Sequence, residues 1–317
     1  MSKESNNQGR AYEFAWMKIL EKELTAKTNF KVIHNSSYEV NKRAWDLMDS
    51  QTKSTYKTSA EAAVRTILEL EPRLEENDGK ELTLEFQKDD KGTKGDVRDI
   101  VIKKDTIEWE IGLSIKHNHE AVKHSRLSHK LDFGNEWFDM PCSQNYWNDV
   151  KPIFDFLSEG KRKGTLWREL ENKEDDVYVP ILTAFMNEIK RSYANEPDLP
   201  QKMVEYLIGV KDYHKVVSKD SHQVTLIHTF NMHGTLNKPS KVKISAITVP
   251  KVELPTRLVA LDFKKDNKTT VEMYLDNGWE LSFRIHNAEK VLTPTLKFDV
   301  QFMGMPPTIL TISCNWK

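Results

Sequence analysis

Residues 95–128, GDVRDIVIKKDTIEWEIGLSIKHNHEAVKHSRLS, carry the pattern that decides the fold. Val97 to Ile102 is a short apolar run rich in β-branched residues, and KKDT (103–106) after it is typical of a turn. From Ile107 to Ile115 every second residue is apolar, which predicts a strand with one buried face. The stretch therefore predicts two neighbouring antiparallel strands, followed by a segment rich in His, Lys and Arg.

The sequence before this stretch extends the same pattern. Leu82, Leu84 and Phe86 alternate with polar residues, and DDKGTKG (89–95) indicates a turn. The three strands are predicted to form an antiparallel meander. Helices are predicted at 10–24, 38–48, 59–74 (with Ser59 as the N-cap), 120–131 and 177–193.

After residue 216 the pattern changes from helices to strands. Apolar and polar residues alternate in QVTLIHTF (223–230), KVKISAITV (241–249), RLVALDF (257–263), TTVEMYL (269–275), WELSFRIHN (279–287) and LKFDVQFM (296–303). We therefore expect one region with a helical middle section over 1–215 and a β-rich region over 216–317. Segregation of helices and strands along the chain predicts the α+β class.

Composition limits the possible classes of protein. Charged residues make up 30% of the 317 residues, but the net charge is only -1, so any basic surface must be local. The two cysteines have no spacing typical of metal sites or disulfide frameworks, which favours a reducing, cytoplasmic setting. We find neither a signal peptide nor an apolar run of membrane-spanning length, and no Walker or G-x-G-x-x-G motif.

The predicted hairpin carries candidate catalytic side chains. Strand alternation places Glu110, Ser114 and Lys116 on the face opposite the apolar residues, and the preceding strand supplies Asp96 and Asp99. Carboxylates on neighbouring strands can hold Mg²⁺, which activates water for phosphodiester hydrolysis, and a nearby lysine can stabilise the developing negative charge. The structural alternative is a solvated strand face, which is the commoner meaning of such a pattern.

These blocks resemble a known family. GDVRDIVI, WEIGLSIKHNHEAVKHSRLS and WELSFRIHNAEKVLTPTLKFDVQFMGMP are similar to HaeIII-type type II restriction endonucleases, and the acid and lysine arrangement resembles the PD-(D/E)xK nuclease superfamily. The resemblance implies a mixed sheet flanked by helices, Mg²⁺ as cofactor and double-stranded DNA as substrate, cut at GGCC. It also implies a functional pairing with a cognate DNA methyltransferase. Whether the chain is a monomer or a homodimer stays open.

The chain departs from the superfamily pattern at one position. The acid expected two residues before Lys116 is Ser114, and Glu110 is roughly 20 Å from Lys116 on a straight strand. One version of the site uses Asp99 and Glu110 for the metal, with Lys116 on a strand bent at Gly112, and a tight turn would then pair Asp99 with Glu110. The other combines an aspartate with the Ser114–Lys116 pair and a helix carboxylate, Glu13, Glu71 or Glu120. We favour Asp99, Glu110 and Lys116.

Two groups of residues are candidates for DNA contacts. The first follows the hairpin at the start of the helix predicted at 120–131, where a helix N-terminus favours phosphate: His117, Asn118, Lys123 and Arg126. The second lies in the C-terminal strands: Arg284, His286, Asn287 and Lys297. We therefore expect 1–215 to be the catalytic region and 216–317 to recognise DNA. The main alternative function is a non-catalytic, sequence-specific DNA-binding protein with a degenerate nuclease site, which Ser114 would explain.

Overall fold

The computed structural model describes residues 3–87, 95–104, 108–119, 122–123 and 125–317, with side chains from residue 7 onward. The helices are α1 Lys3–Leu24, α2 Ser36–Asp46, α3 Ser50–Leu70, α4 Phe133–Phe138, α5 Gln144–Lys163, α6 Val179–Tyr193 and α7 Leu199–Ile208. The strands are β1 Phe30–Ile33, β2 Leu82–Phe86, β3 Ile100–Lys104, β4 Trp109–His117, β5 Arg126–Ser128, β6 Tyr213–Lys219, β7 Val224–Phe230, β8 Leu258–Phe263, β9 Thr270–Leu275, β10 Glu280–His286, β11 Thr295–Gly304 and β12 Leu310–Asn315.

The chain forms two compact units, and the first is discontinuous in sequence. It comprises Met1–Glu120, Val210–Glu253 and Pro307–Lys317. Its seven-stranded sheet has the order β1-β2-β3-β4-β6-β7-β12, with parallel pairing at β1–β2 and β4–β6 and antiparallel pairing elsewhere. Trp16 of α1 and Ile67 of α3 belong to the same buried apolar cluster as Ile111 and Leu113 of β4, so one face of the sheet is apolar.

The second unit comprises Ala121–Gly209 and Leu254–Pro306. Its five-stranded antiparallel sheet has the order β5-β11-β10-β9-β8. Phe283 of β10 and Phe298 of β11 pack with Phe185 of α6 and Trp137 of α4, with ring centroids 5.0–6.2 Å apart. Alternation along these strands therefore places polar side chains on the other face of the sheet.

Several predictions from sequence are confirmed. The protein is mixed α+β with a mixed sheet flanked by helices, and β2, β3 and β4 form the predicted antiparallel meander. The helices predicted at 10–24 and 177–193 correspond to α1 and α6, with Pro180 in the first turn of α6. In the described part of the chain, no helix combines the length and the apolar character needed to span a bilayer.

Other predictions are wrong, each for a local reason. The predicted helix at 120–131 is absent from the described residues, because Arg126–Ser128 pairs with β11 as an edge strand. The helix predicted from Ser59 begins at Ser50, capped by Asp49, whose carboxylate accepts from the Thr52 amide at 2.8 Å. Residues 241–249 form no strand. The units also divide the chain differently from the boundary predicted at residue 216, because β6 pairs with β4, far away in sequence.

Candidate active site

Asp99 is the centre of a cluster of polar groups at the start of β3. Its amide donates to the Leu113 carbonyl at 2.8 Å, which continues the β3–β4 ladder by one residue and fixes the backbone. Its Oδ2 atom accepts from the Ile115 amide at 2.5 Å, from Lys116 Nζ at 3.2 Å and from Ser114 Oγ at 3.4 Å. The structure thus brings together Asp99 and Lys116, two of the three residues expected to form the catalytic set.

Glu13 of α1 belongs to the same cluster. Its Oε2 atom accepts from Asn41 Nδ2 of α2 at 2.8 Å. Burial, and then the negative charge of Asp99, raise the pKa of Glu13 to about 8, while Lys116 and Asn41 offset part of this rise. Burial and a neighbouring negative charge favour the protonated, neutral form of a carboxyl group. A bound cation would instead favour its charged form.

Lys116 keeps its positive charge at this site. Burial lowers the pKa of Lys116, but the charges of Asp99 and Glu13 and the hydrogen bond to Asp99 outweigh burial, so the net pKa is raised. Its side chain is 31% exposed, so a ligand can reach the ammonium group. The cluster therefore presents two acids and a permanently charged lysine to solvent at the end of β4.

Glu110 lies elsewhere, which corrects the expected geometry. The β3–β4 register pairs Ile100 with Leu113 and Lys103 with Glu110, so a turn that pairs Asp99 with Glu110 is not formed. Asp99 is four residues from Lys103, which places Glu110 about 13 Å away along the sheet. The Glu110 carboxylate instead accepts from Arg98 at 3.1 Å and lies 3.4 Å from Lys211.

Gly112 permits a close approach rather than a bend. The β3–β4 register has no bulge at Gly112. The Arg98 side chain crosses the strand there, and a Cβ added at Gly112 would lie 2.0 Å from Arg98 Cδ. Arg98 also pairs with Asp96, with Nη2 2.7 Å from Oδ2. Asp96 and Glu110 are therefore partners of a buried arginine, and neither is near Lys116.

Among the other helix carboxylates considered, Glu71 is fully buried and accepts from His214 Nε2 at 2.9 Å and from the Asn237 amide at 2.9 Å. It is a structural partner of β6. Glu120 lies outside the described residues. Glu13 is thus the helix carboxylate that the structure brings to Asp99, and Asn41, which the sequence pattern did not single out, holds it there.

The residues after β4 are mostly bound within the protein. His117 Nε2 lies 3.0 Å from both carboxylate oxygens of Asp220, and its ring packs against Tyr12 and Tyr56. Asn118 exchanges two hydrogen bonds with Asp220, at 2.9 and 3.0 Å. The helix N-terminus expected to bind phosphate here is not formed by the described residues. His117 and Asn118 instead hold the chain after β4 in place through Asp220.

Lys123 and Arg126 belong to the second unit and differ in exposure. Lys123 Nζ donates to the Tyr206 carbonyl at 3.0 Å and lies 3.5 Å from the centre of the Tyr206 ring. Burial lowers the pKa of Lys123 to about 8. Arg126 is exposed on the edge strand β5. Of the two, Arg126 is the more accessible to a ligand.

The four C-terminal residues predicted to contact DNA also differ in their surroundings. Asn287 Oδ1 accepts from the Tyr178 hydroxyl at 3.0 Å, and its amide donates to the Glu289 carbonyl at 2.8 Å. Arg284, His286 and Lys297 share the polar face of the five-stranded sheet. Asn287 is therefore a structural residue. Of the other three, Arg284 is exposed, His286 is half-buried and Lys297 is buried.

Comparison with known proteins places the chain in the class of restriction endonucleases. Residues 9–306 match the family described as HaeIII restriction endonuclease. The type II restriction enzyme HaeIII of Haemophilus aegyptius is 49% identical over 318 residues, which cover all of both chains. No solved structure matches the chain. The chain belongs to the HaeIII restriction endonuclease family.

Membership of this family makes the chain a site-specific deoxyribonuclease that acts on double-stranded DNA. Type II restriction endonucleases generally depend on a metal ion. The described residues contain no group of three His, Cys, Asp or Glu side chains placed to hold a metal. A cluster of two carboxylates still fits Mg²⁺, because proteins commonly bind it through one or two carboxylates together with water and substrate phosphate.

Proposed function

We propose that Glu13, Asp99 and Lys116 are the catalytic residues of a Mg²⁺-dependent cleavage of double-stranded DNA. The observation that carries this proposal is the contact of Asp99 with Lys116 at 3.2 Å, beside a second acid whose pKa Asp99 raises. Glu13 takes the role first expected of Glu110, whose carboxylate is engaged by Arg98 and Lys211.

The electrostatics of the cluster support a divalent cation. Burial and the charge of Asp99 raise the pKa of Glu13, and the positive charges of Lys116 and Arg10 offset only part of this rise. A bound Mg²⁺ would supply charge stabilisation at the phosphate and activation of the attacking water. Carboxylate oxygens are the protein ligands that this ion prefers.

The residues of the chain have separable tasks in this proposal. The Ile115 amide fixes the orientation of Asp99 through Oδ2, which leaves Oδ1 for the metal. Asn41 orients Glu13 in the same manner. Lys116, charged and accessible, stabilises negative charge on the scissile phosphate as it develops. Ser114 contributes a hydroxyl near Asp99 and no charge.

We also propose that the seven-stranded sheet contains a PD-(D/E)xK-type core. Asp99 before β3 and Lys116 near the end of β4 support this assignment. The second acid is then supplied by α1, which explains why Ser114 can stand at the position where the superfamily has an acid.

DNA contacts complete the proposal. Arg126, Arg284, His286 and Lys297 lie on one sheet face, where the two exposed arginines and the half-buried His286 would contact DNA directly and the buried Lys297 would add positive charge. Lys123 would contribute positive charge below its pKa of about 8. His117, Asn118 and Asn287 would act by holding the surrounding chain in place through the bonds described above.

The resemblance to HaeIII-type enzymes supports recognition of GGCC, pairing with a cognate DNA methyltransferase that protects the host genome, and a cytoplasmic location. Both a monomer and a homodimer are compatible with cleavage of two strands. The non-catalytic alternative predicts binding without cleavage, and the experiment below distinguishes it.

The test is digestion of plasmid DNA with Mg²⁺ and separately with EDTA, with the ends of any fragments sequenced. We expect discrete Mg²⁺-dependent fragments that end within GGCC. Glu13→Gln, Asp99→Asn and Lys116→Ala should each lower kcat/KM on the order of 100-fold. Glu110→Gln compares the two versions of the site, and we expect a much smaller loss.

Glu61→Gln on α3 is the matched control, because it removes one carboxylate from an exposed ion pair with Lys22. Circular dichroism checks the folding of each variant. Full activity of Glu13→Gln together with loss in Glu110→Gln would reject the proposed set in favour of the other version. A retained gel shift without cutting would favour the non-catalytic protein.

A further inference from the structure

The polar face of the five-stranded sheet carries a cluster of cations. Strand pairing places Arg126 of β5, Lys297 of β11 and His286 of β10 directly opposite one another in one row. Arg284 and Asp299 form the adjacent row, two residues along. Neighbouring strands are about 4.8 Å apart, and side chains on one face repeat about every 7 Å along a strand. The Cα atoms of all five residues therefore lie within an area of about 10 by 7 Å.

The cations in this cluster destabilise one another. Burial, and then the charge of Arg126, lower the pKa of Lys297. Burial lowers the pKa of His286 as well, and the charges of Arg284 and Lys297 lower it further. The Nδ1 atom of His286 is buried and has no hydrogen-bond partner within the described residues. The electrostatic potential of such a surface is positive, so it favours a ligand that is negatively charged or rich in hydrogen-bond acceptors.

Arg284 is exposed enough to reach a ligand and is held by a buried carboxylate. Its side chain is 58% exposed, whereas the side chain of Asp299 is 11% exposed, and Arg284 Nη2 lies 3.6 Å from Asp299 Oδ2. Gln301 Nε2 donates to the same Oδ2 atom at 3.3 Å. A guanidinium group has five donors, so a weak contact with one carboxylate orients the group and leaves donors for a partner.

We propose that Arg284 reads a guanine in the recognition site through the major-groove edge, with Asp299 as its positioning residue. Guanine presents two acceptors there, O6 and N7, which match two parallel guanidinium donors. Arg284 sits in a regular strand rather than a loop, which gives the fixed geometry that a bidentate contact needs. This inference rests on the proposed function and deepens it.

A phosphate is the alternative partner of Arg284, and the two chemistries have different consequences. A phosphate contact weakens binding to all sequences alike and changes its salt dependence, whereas a base contact carries sequence information. The experiment therefore varies single atoms of the DNA as well as the protein.

The duplex carries the cleavage site mapped with the wild-type enzyme, and each guanine in turn is replaced by 7-deazaguanine, which lacks the N7 acceptor. We expect wild-type kcat/KM to fall about 5- to 12-fold when the guanine that Arg284 contacts is the one replaced. Arg284→Ala should lose about 5- to 150-fold on the unmodified duplex, with no further loss when that same guanine is modified. Arg284→Lys should lose most of the discrimination while it keeps the charge.

Arg162→Ala is the control, because Arg162 is an exposed arginine of the same unit that pairs with Glu159 on α5. Asp299→Asn should lower discrimination at the same guanine and leave the response to every other modified base unchanged. A merely structural role of Asp299 would instead lower activity on all duplexes alike.

The proposal would be overturned if Arg284→Ala lost the same factor in kcat/KM on every duplex and if the slope of log K for DNA binding against log salt concentration became smaller by about one. Arg284 would then contact a phosphate. An unchanged Arg284→Ala enzyme would overturn it too. If Arg284→Ala does not fold, Arg284→Lys and the wild-type response to 7-deazaguanine still decide the question. Absence of any cleavage by the wild-type enzyme would reject the proposed function itself, since no site could then be mapped.

Discussion

At the residue scale, single atoms decide which acids reach Lys116. The Ile115 amide and Lys116 both donate to one oxygen of Asp99, and the Asp99 backbone is part of the β3–β4 ladder. On the same strand face, the missing Cβ of Gly112 lets Arg98 cross β4 and pair with Asp96 and Glu110. Gly112 therefore keeps these two acids in a separate ion-pair network.

Gly112→Ala tests this arrangement. The new Cβ would lie 2.0 Å from Arg98 Cδ and 2.5 Å from Cγ, so the buried guanidinium must leave its partners or the strand must shift. We expect a loss of about 1–3 kcal/mol in the free energy of unfolding, measured by urea denaturation. Gly9→Ala is the control, because nothing lies within 4 Å of its added Cβ in α1, and alanine favours the helix. Equal stability of the two variants would contradict this role of Gly112.

At the scale of elements, buried polar pairs fix how helices meet the first sheet. Glu71 is the C-cap of α3, and its carboxylate accepts from His214 of β6 and from the Asn237 amide. Asn237 Nδ2 in turn donates to the Leu70 carbonyl at 2.8 Å. Glu71 and His214 are both fully buried. The end of α3, the start of β6 and the chain after β7 thus share one polar junction.

Glu71→Leu removes the acceptor from this junction. His214 and the Asn237 amide then lose their buried partner, and we expect a loss of about 3–5 kcal/mol in stability, seen as a lower urea midpoint. Glu61→Leu, ten residues earlier on an exposed part of the same helix, should leave the midpoint nearly unchanged. A Glu71→Leu midpoint close to that of the wild type would mean that leucine packs well enough to replace the pair.

At the scale of the whole molecule, the proposed metal site of Glu13, Asp99 and Lys116 should make the stability of the protein depend on pH and on Mg²⁺. The folded protein raises the pKa of Glu13 from 4.5 to about 8. A raised pKa means that the folded state holds the proton more tightly, so this contribution to stability is fully present below the ordinary value of 4.5. It is lost as the pH rises through about 8.

We therefore expect Mg²⁺ to stabilise the wild-type protein most above pH 8, where Glu13 is charged. At tenfold excess over its Kd, Mg²⁺ should add about 1.4 kcal/mol, or about 2–5 °C in Tm, measured by thermal melts at pH 6 and pH 9. Glu13→Gln should lose most of this increase and, without metal, should be more stable than the wild type at pH 9. An equal Mg²⁺ effect at both pH values in both proteins would argue against Glu13 as a ligand.

The sequence by itself determined the local structure around the site. Alternation in residues 82–115 specified the meander because an antiparallel hairpin needs only neighbouring residues and a turn, and the apolar period of residues 10–24 specified α1. The same pattern singled out Asp99 and Lys116, which the structure brings within 3.2 Å. The resemblance to the family was also carried by three blocks of the sequence.

Only the tertiary structure decided which distant groups meet. The β3–β4 register moved Glu110 away from Asp99, and the packing of α1 brought Glu13 in, although more than eighty residues separate it from Asp99. Likewise, the pairing of β4 with β6 made the first unit discontinuous, and residues 126–128 became a strand only because β11 offered an edge. Local periodicity fixes the face on which a side chain lies, but register and helix docking depend on contacts across the whole chain.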